Sequence, residues 1–270
     1  MDELSPDPAG RPPPDPRDLP ELIEVALGSD DNEAWDAIAA LHWRGTSEVL
    51  QSALGLCARP EPGVRARGAD ILGQLGIPHR TFPEECFVAL QALLSDPNAG
   101  VLSSAIVALS HLDAERAMPH ILGFTKHRDD DVRFSVTTAL GGLDAQEAIE
   151  ALIELSSDKD SDVRDWATFG LGSQTDVDSQ EIRAALAAAL HDDDPDVRYE
   201  AVCGLGRRGD ARSIPFLKNM LHDQPKDIFL RGTALMLLGL DERDEMSSGE
   251  LLGALQRRQR WMSGHGTTKS

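Results

Sequence analysis

At 270 residues the chain has room for one extended repeat array or two compact domains. Its 46 acidic residues against 26 basic ones leave a formal charge of −20, which repels nucleic-acid phosphates and suits a basic protein partner. Cys57, Cys86 and Cys203 stand far apart without a C-x-x-C pair, a pattern that excludes a disulfide framework or a cysteine zinc site and fits a reducing cytoplasm. The acidic amino terminus is not expected to act as a secretory signal, and the apolar run Ala234 to Leu240, seven residues, is far too short to span a membrane. The expectation is a cytoplasmic monomer.

Residues 1–18 carry prolines at Pro6, Pro8, Pro12, Pro13, Pro14 and Pro16, interleaved with Asp2, Asp7, Asp15 and Asp18. Such a segment buries too little apolar surface to offset its ordering entropy and is expected to be a disordered leader.

From residue 19 to 245 one pattern recurs. Its units open at Glu33, Val64, Val101, Val132, Val163, Val197 and Leu230, a period of 31 to 37 residues. In the clearest copies an apolar residue is followed by arginine, then by a small or branched residue at i+4, then by leucine-glycine at i+8 and i+9. Examples are Val163-Arg164, Ala167, Leu171-Gly172 and Val197-Arg198, Ala201, Leu205-Gly206. The apolar stripe marks one face of a helix. The glycine is expected to end it in a left-handed cap, and Asp131, Asp162 and Asp196 to favour its start. A preceding helix in each unit is signalled by runs such as Ile149-Leu152-Ile153, Ile182-Leu186-Leu190 and Ile214-Leu217-Leu221. No segment alternates as a strand would. Seven antiparallel helix pairs are therefore expected, each burying its face against its neighbours.

Residues 246–270 are expected to form a capping helix and a loose tail from Gly264 onward. Ser247 and Glu250 stand at capping-box spacing, Leu251, Leu252 and Leu255 supply an apolar side, and Arg257, Arg258 and Arg260 suit the carboxyl end.

The units, best seen from Asp194-Pro195-Asp196-Val197-Arg198 through Gly209-Asp210-Ala211-Arg212-Ser213-Ile214-Pro215, resemble HEAT repeats of the phycobilin-lyase-like type. The resemblance covers roughly residues 19 to 245 and implies an all-α, right-handed α–α superhelix. The first and third units depart from it by lacking the arginine. It also implies an alternative function, a lyase-like enzyme or subunit for attaching a chromophore or prosthetic group.

The repeat arginines Arg65, Arg133, Arg164, Arg198 and Arg231 suggest either a phosphate site or, preferably, a ladder of Asp–Arg contacts between repeats, because they recur with the structural valine. Opposite the core stripe lie the third, fourth and seventh positions of each unit. They hold Trp35, Phe134, Trp166, Phe169 and Tyr199, five of twelve aromatic residues, where chance would place about one. Asp36, Asp70, Asp165 and Glu200 are interleaved with them, and Arg67 is the only basic residue. The second helix of a repeat commonly lines a solenoid's concave surface, so Trp35, Asp36, Arg67, Phe134, Asp165, Trp166, Phe169, Tyr199 and Glu200 are the candidate partner-binding residues.

No catalytic or metal constellation stands out. Eight histidines are scattered without an H-E-x-x-H motif, the glycines form no phosphate loop, and no cofactor is called for. The aspartate runs Asp129-Asp130-Asp131 and Asp192-Asp193-Asp194 sit where helix starts need them. The sequence thus points to a non-enzymatic scaffold or adaptor with an acidic, aromatic face, in its concrete form an inhibitor or immunity-type protein covering a basic partner. DNA repair in the manner of HEAT-like glycosylases would need a cationic groove, which this face lacks.

Overall fold

The structure, a computed structural model, describes residues 12–241 and 246–265, with side chains through Trp261. The disorder expected of residues 1–11 and 266–270 lies outside the described residues. Residues 12–18 depart from that expectation. They are irregular yet held, because Arg44 donates to the carbonyls of Asp15 (3.3 Å) and Arg17, and Arg17 pairs with Asp15. Prolines already restrict this stretch, so fixing it forfeits little chain entropy.

Helices α1 (Leu19–Ala26) to α14 (Ser248–His265) follow one another with no strand among the described residues. They fall into two compact units, Met1–Ala139 and Leu140–Ser270. The first contains α1 with α2 (Asp31–Arg44), α3 (Ser47–Cys57) with α4 (Pro62–Gly73), then α5 (Pro83–Leu93), α6 (Ala99–Ile121) and all but the last residue of α7 (Asp130–Leu140). α6 is two helices run together. Asp113, at φ −163° and ψ 91°, ends the second helix of the third pair and opens the first helix of the fourth. The second unit holds α8 (Gln146–Leu155) with α9 (Ser161–Phe169), α10 (Gln180–Ala189) with α11 (Pro195–Arg207), α12 (Ile214–Asp223) with α13 (Ile228–Leu238), and α14. The seven expected pairs and the capping helix are all present.

Each pair buries the stripe that its spacing marks. In the first unit Ile38, Leu41, Leu72, Leu90, Val101 and Leu109 are sealed. In the second, Ile149, Val163, Leu186, Val197, Leu205, Leu217 and Leu230 are. Each such side chain contributes about 1.5–3 kcal/mol of transfer free energy. Ser247 and Glu250 form the expected capping box, the Ser247 amide donating to Glu250 Oε2 (2.8 Å) and the Glu250 amide to Ser247 Oγ (3.3 Å). α14 packs Leu251 and Leu255 against α12 and α13, covering the last repeat, and it stays helical through Gly264 and His265.

Two local expectations are corrected. The helix-starting carboxylates stand three residues before the core residue, not one: Asp160 accepts from the amides of Asp162 and Val163, Asp194 from that of Asp196, and Asp227 from that of Leu230. Asp162 and Asp196 sit in the first turn, where they complement the helix dipole. The glycines after the repeat leucines mostly do not cap. Among them only Gly239 is left-handed (φ +69°); the turns proper use Gly45, Gly76 and Gly209, twelve residues into their units. Gly73 and Gly172 instead let the next second helix come close. A Cβ on Gly73 would lie 2.8 Å from the Ala108 Cα, and one on Gly172 would lie 3.2 Å from the Gly204 Cα.

The ladder takes a definite form. Arg65 makes a double hydrogen bond to Asp96 (2.7 and 3.0 Å), and Arg164 makes one to Asp192 (2.8 Å each), in both cases reaching the loop of the following pair. The same guanidinium groups satisfy carbonyls at the end of their own pair's first helix: Arg59 and Pro60 for Arg65, Asp158 and Lys159 for Arg164. Each aspartate also accepts a backbone amide two residues on, Asn98 or Asp194. Where the third unit has Leu102 for arginine, the aspartate position of the fourth is His127, so both halves of the rung are missing together. Arg198, whose partner position in the next unit is Pro225, donates to the Asp192 and Asp193 carbonyls, and Arg231 reaches Ser248 Oγ and the Met246 carbonyl at the start of α14.

Arg164 holds the Asp192 carboxyl below its usual range, so the bridge stabilises the fold above that range and is lost as pH falls through the depressed value. Arg164→Ala is expected to remove about 2 kcal/mol, between an exposed and a fully buried pair. A double-mutant cycle with Asp192→Ala in urea should return a coupling above about 0.5 kcal/mol. A coupling of zero would show that the two side chains act independently.

Candidate functional site

The second helices of the second unit, α9, α11 and α13, bring three consecutive repeats to one face. α9 carries Asp165, Trp166 and Phe169, and its end widens into a π-helical turn over Gly170–Gln174. Trp166 is 38 % exposed and meets Phe169 edge to face, with ring centroids 5.8 Å apart at 81°. α11 adds Tyr199 and Glu200, both half-buried. The Tyr199 hydroxyl donates to the Asp227 carboxylate (3.0 and 3.1 Å), which also caps α13. Tyr199 is therefore tied into the junction between repeats as well as facing outward, which its position in the unit does not reveal.

Between these helices lies a cavity of about 530 Å3, within the range of pockets that hold ligands or partner side chains. Phe169, Tyr199, Glu200 and Cys203 line it, and α13 completes it with Asp227, Ile228, Phe229, Gly232, Thr233 and Met236. Ile228, Phe229 and Met236 are 73, 68 and 44 % exposed, a large apolar commitment to solvent on a chain this charged. Arg207 lines the far end and donates to the Ser173 carbonyl (2.8 Å). Since α11 and α13 are equivalent helices, Glu200 and Asp227 mark the cavity at their amino-terminal ends and Arg207 at the carboxyl-terminal end.

The electrostatics of this face are strained. Burial, with Asp165 and Asp196 nearby, raises the Glu200 carboxyl to about 7. Asp165 rises to about 6 through burial and the fields of Asp196, Asp194 and Asp162, and its Oδ1 is buried with no hydrogen-bond partner. Two carboxyls thus stand where a cation would relieve both desolvation and mutual repulsion.

In the first unit the same positions look different. Trp35 is 50 % exposed on α2, with the Arg67 guanidinium of α4 5.4 Å from its ring centroid. Arg67 also pairs with Asp31 (3.0 Å) and Asp70 (3.6 Å), so it is neutralised in place. The exposed Asp36 lines a second cavity, about 400 Å3, together with Ala39, Trp43 and Pro12, Pro13, Pro14 and Pro16. Phe134 is half-buried on α7. The structure therefore gathers Asp165, Trp166, Phe169, Tyr199 and Glu200 in one unit, and Trp35, Asp36, Arg67 and Phe134 belong to the other.

Asp227, Ile228 and Phe229 escaped the sequence pattern, whereas Met236 stands at the seventh position of its unit, on the expected face, without being among the candidates. A signal for two of the first three was present: Ile228-Phe229 stands where the three preceding units read Asp130-Asp131, Ser161-Asp162 and Pro195-Asp196. The thiols are pushed up by burial, to about 12 for Cys57 and Cys203 and about 11 for Cys86, so they behave as small hydrophobes and not as nucleophiles. Among the described residues no group of three or more His, Cys, Asp and Glu side chains is placed to hold a metal ion, and no helix is long and apolar enough to cross a membrane.

Stacked antiparallel helix pairs joined by Arg–Asp rungs, with their second helices sharing one face, define an α-solenoid of short repeats. A profile of HEAT repeats matches residues 87–172 and 151–239, more than half the chain, and the chain belongs to the HEAT-repeat family. Among solved structures, YibA of Escherichia coli aligns with a TM-score of 0.70 at 23 % identity, covering 90 % of this chain and 93 % of that one. The complex of CpcE and CpcF of phycocyanin lyase from Nostoc sp. PCC7120 aligns at a TM-score of 0.47 and 18 % identity, covering 95 % and 98 %. The likeness to YibA carries the fold and nothing further. No curated protein matches.

Proposed function

We propose that this protein is a non-enzymatic binding module whose second-helix face holds another protein, and that the partner is basic. The observation that carries this is the exposed set Trp166, Ile228, Phe229 and Met236, set among carboxylates on one face of α9 and α13. Aromatic and apolar anchors with a polar surround are the composition of interface hot spots, and leaving them in water is unfavourable unless something covers them. The charge of −20 adds a field that would speed the approach of a cationic partner.

The test is capture of proteins from the native host on immobilised wild-type protein and on Trp166→Ala, followed by hydrogen exchange on the purified complex. A bound protein is expected to protect α9, α11 and α13, and Trp166→Ala should weaken it at least tenfold while leaving helicity and melting unchanged. A captured protein that ignores Trp166 and protects other helices would overturn this assignment. Unfolding of Trp166→Ala would make the ring a packing element between repeats.

A further inference from the structure

The unit-two cavity is lined by apolar and acidic side chains, and both bear on what fits it. Phe169, Phe229 and Met236 offer carbon surface, while Glu200 and Asp227 stand at one end with Asp165 close to Glu200. Among the described residues neither carboxylate is paired with a cation. Glu200 faces Asp165 and Asp196, and Asp227 is bonded to a neutral phenol. Arg207, the basic side chain among the described lining, is at the opposite end and engaged with the Ser173 carbonyl. A long side chain with an apolar stem and a cationic head matches this arrangement, and so does an apolar side chain followed by a basic one.

The first unit supplies an internal precedent for the form of the occupant. There the second-helix positions of Asp36 and Ala39 share a cavity with the irregular stretch Pro12, Pro13, Pro14 and Pro16. A piece of extended chain thus already lies against this kind of face. The same stretch from another copy would not suit the second unit, because it brings Asp15 and Asp18 to Glu200 and Asp227.

We propose that the cavity between α9, α11 and α13 is a docking site for an extended basic segment of a partner protein, which seats an apolar side chain on Phe169, Phe229 and Met236 and a lysine or arginine at Glu200 and Asp227. This rests on the protein-binding function proposed above and names the chemistry of the segment. Relief of Glu200 from the fields of Asp165 and Asp196 gives specificity for positive charge; the apolar lining separates this site from a surface that merely attracts polycations.

Fluorescence anisotropy with three labelled dodecapeptides tests it: alternating lysine and leucine, the same with glutamate for lysine, and the same with serine for leucine. The lysine–leucine peptide is expected to bind, to weaken as salt rises, and to lose at least tenfold in affinity for both Phe229→Ser and Glu200→Gln. Glu147→Gln, which removes an equal charge from the exposed side of α8, should leave binding unchanged. The glutamate and serine peptides should bind at least tenfold more weakly. Absence of binding, equal binding to all four proteins, or equal binding of the serine peptide would overturn the inference. If these peptides fail while a host protein is still captured through Trp166, only the chemistry assigned to the cavity falls. If capture fails as well, the binding function falls with it.

Discussion

Gly204→Val is expected to destabilise the protein by about 3 kcal/mol, the upper part of the range for overpacking a tight contact. Even a Cβ at this position would lie 2.6 Å from the Gly172 Cα and 3.1 Å from Leu186 Cδ1. The first neighbour is backbone and cannot swing away, so α11 must move off the end of α9. For a chain of this size each kcal/mol shifts the melting temperature by about 2–4 °C, which puts the drop near 6–12 °C. Gly55→Ala is the contrast. Nothing lies within 4 Å of its Cβ, and alanine favours a helix interior by up to about 1 kcal/mol, so melting should rise slightly. Thermal unfolding of the two variants beside the wild type decides it. A Gly204→Val protein that melts with the wild type would mean the two helices do not cross this closely.

Glu200→Gln is expected to stabilise the protein at pH 8 and to do nothing at pH 4. The Glu200 carboxyl sits at about 7 in the fold, against an ordinary value of 4.5, because burial and the charges of Asp165 and Asp196 disfavour ionisation. A raised acid binds its proton more tightly folded than unfolded. Its ionisation therefore weakens the fold progressively from pH 4.5 upward, and fully above 7. The neutral amide escapes that penalty. With discounting for partial exposure the gain is about 1 kcal/mol, or 2–4 °C in melting temperature. Melting curves at pH 4 and pH 8 test the sign directly, and an equal shift at both would mean that ionisation of Glu200 is not involved. Since the same substitution should weaken a basic peptide, Glu200 would be a residue kept for binding at the expense of stability.

The repeat was legible because its signals are local and redundant. Val163, Ala167 and Leu171 state a buried helical stripe on their own, and seven copies repeat the statement. The rungs were legible in part: Arg65 and Arg164 recur with an aspartate one period on, whereas Arg198 and Arg231 carry the same signal and donate to carbonyls and a hydroxyl. What the sequence concealed depends on neighbours outside the helix. The same leucine-glycine pair ends α13 in a left-handed turn at Gly239, yet continues the helical backbone at Gly73, because the crossing with Ala108 is visible only in three dimensions. The candidate face was half legible. Trp166 and Phe169 followed from register, whereas the bond from Tyr199 to Asp227 joins residues a full repeat apart. Ile228 and Phe229 fell outside the positions that the core stripe defines, although they break the polar pattern of the earlier units. The ordering of residues 12–18 was hidden for the same reason, since it depends on Arg44, more than twenty-five residues away.

The missing rung at Leu102 and His127 has its own consequence for how the molecule answers its surroundings. Half-buried guanidinium–carboxylate bridges weaken as ionic strength rises, whereas contacts between hydrocarbon groups strengthen in salting-out ions such as sulfate. Brine therefore does not act evenly along the array. It loosens the rungs of Arg65 and Arg164, whereas at the seam where leucine and imidazole stand the ion pair within its reach is the exposed one between Arg116 and Glu84 (2.7 Å).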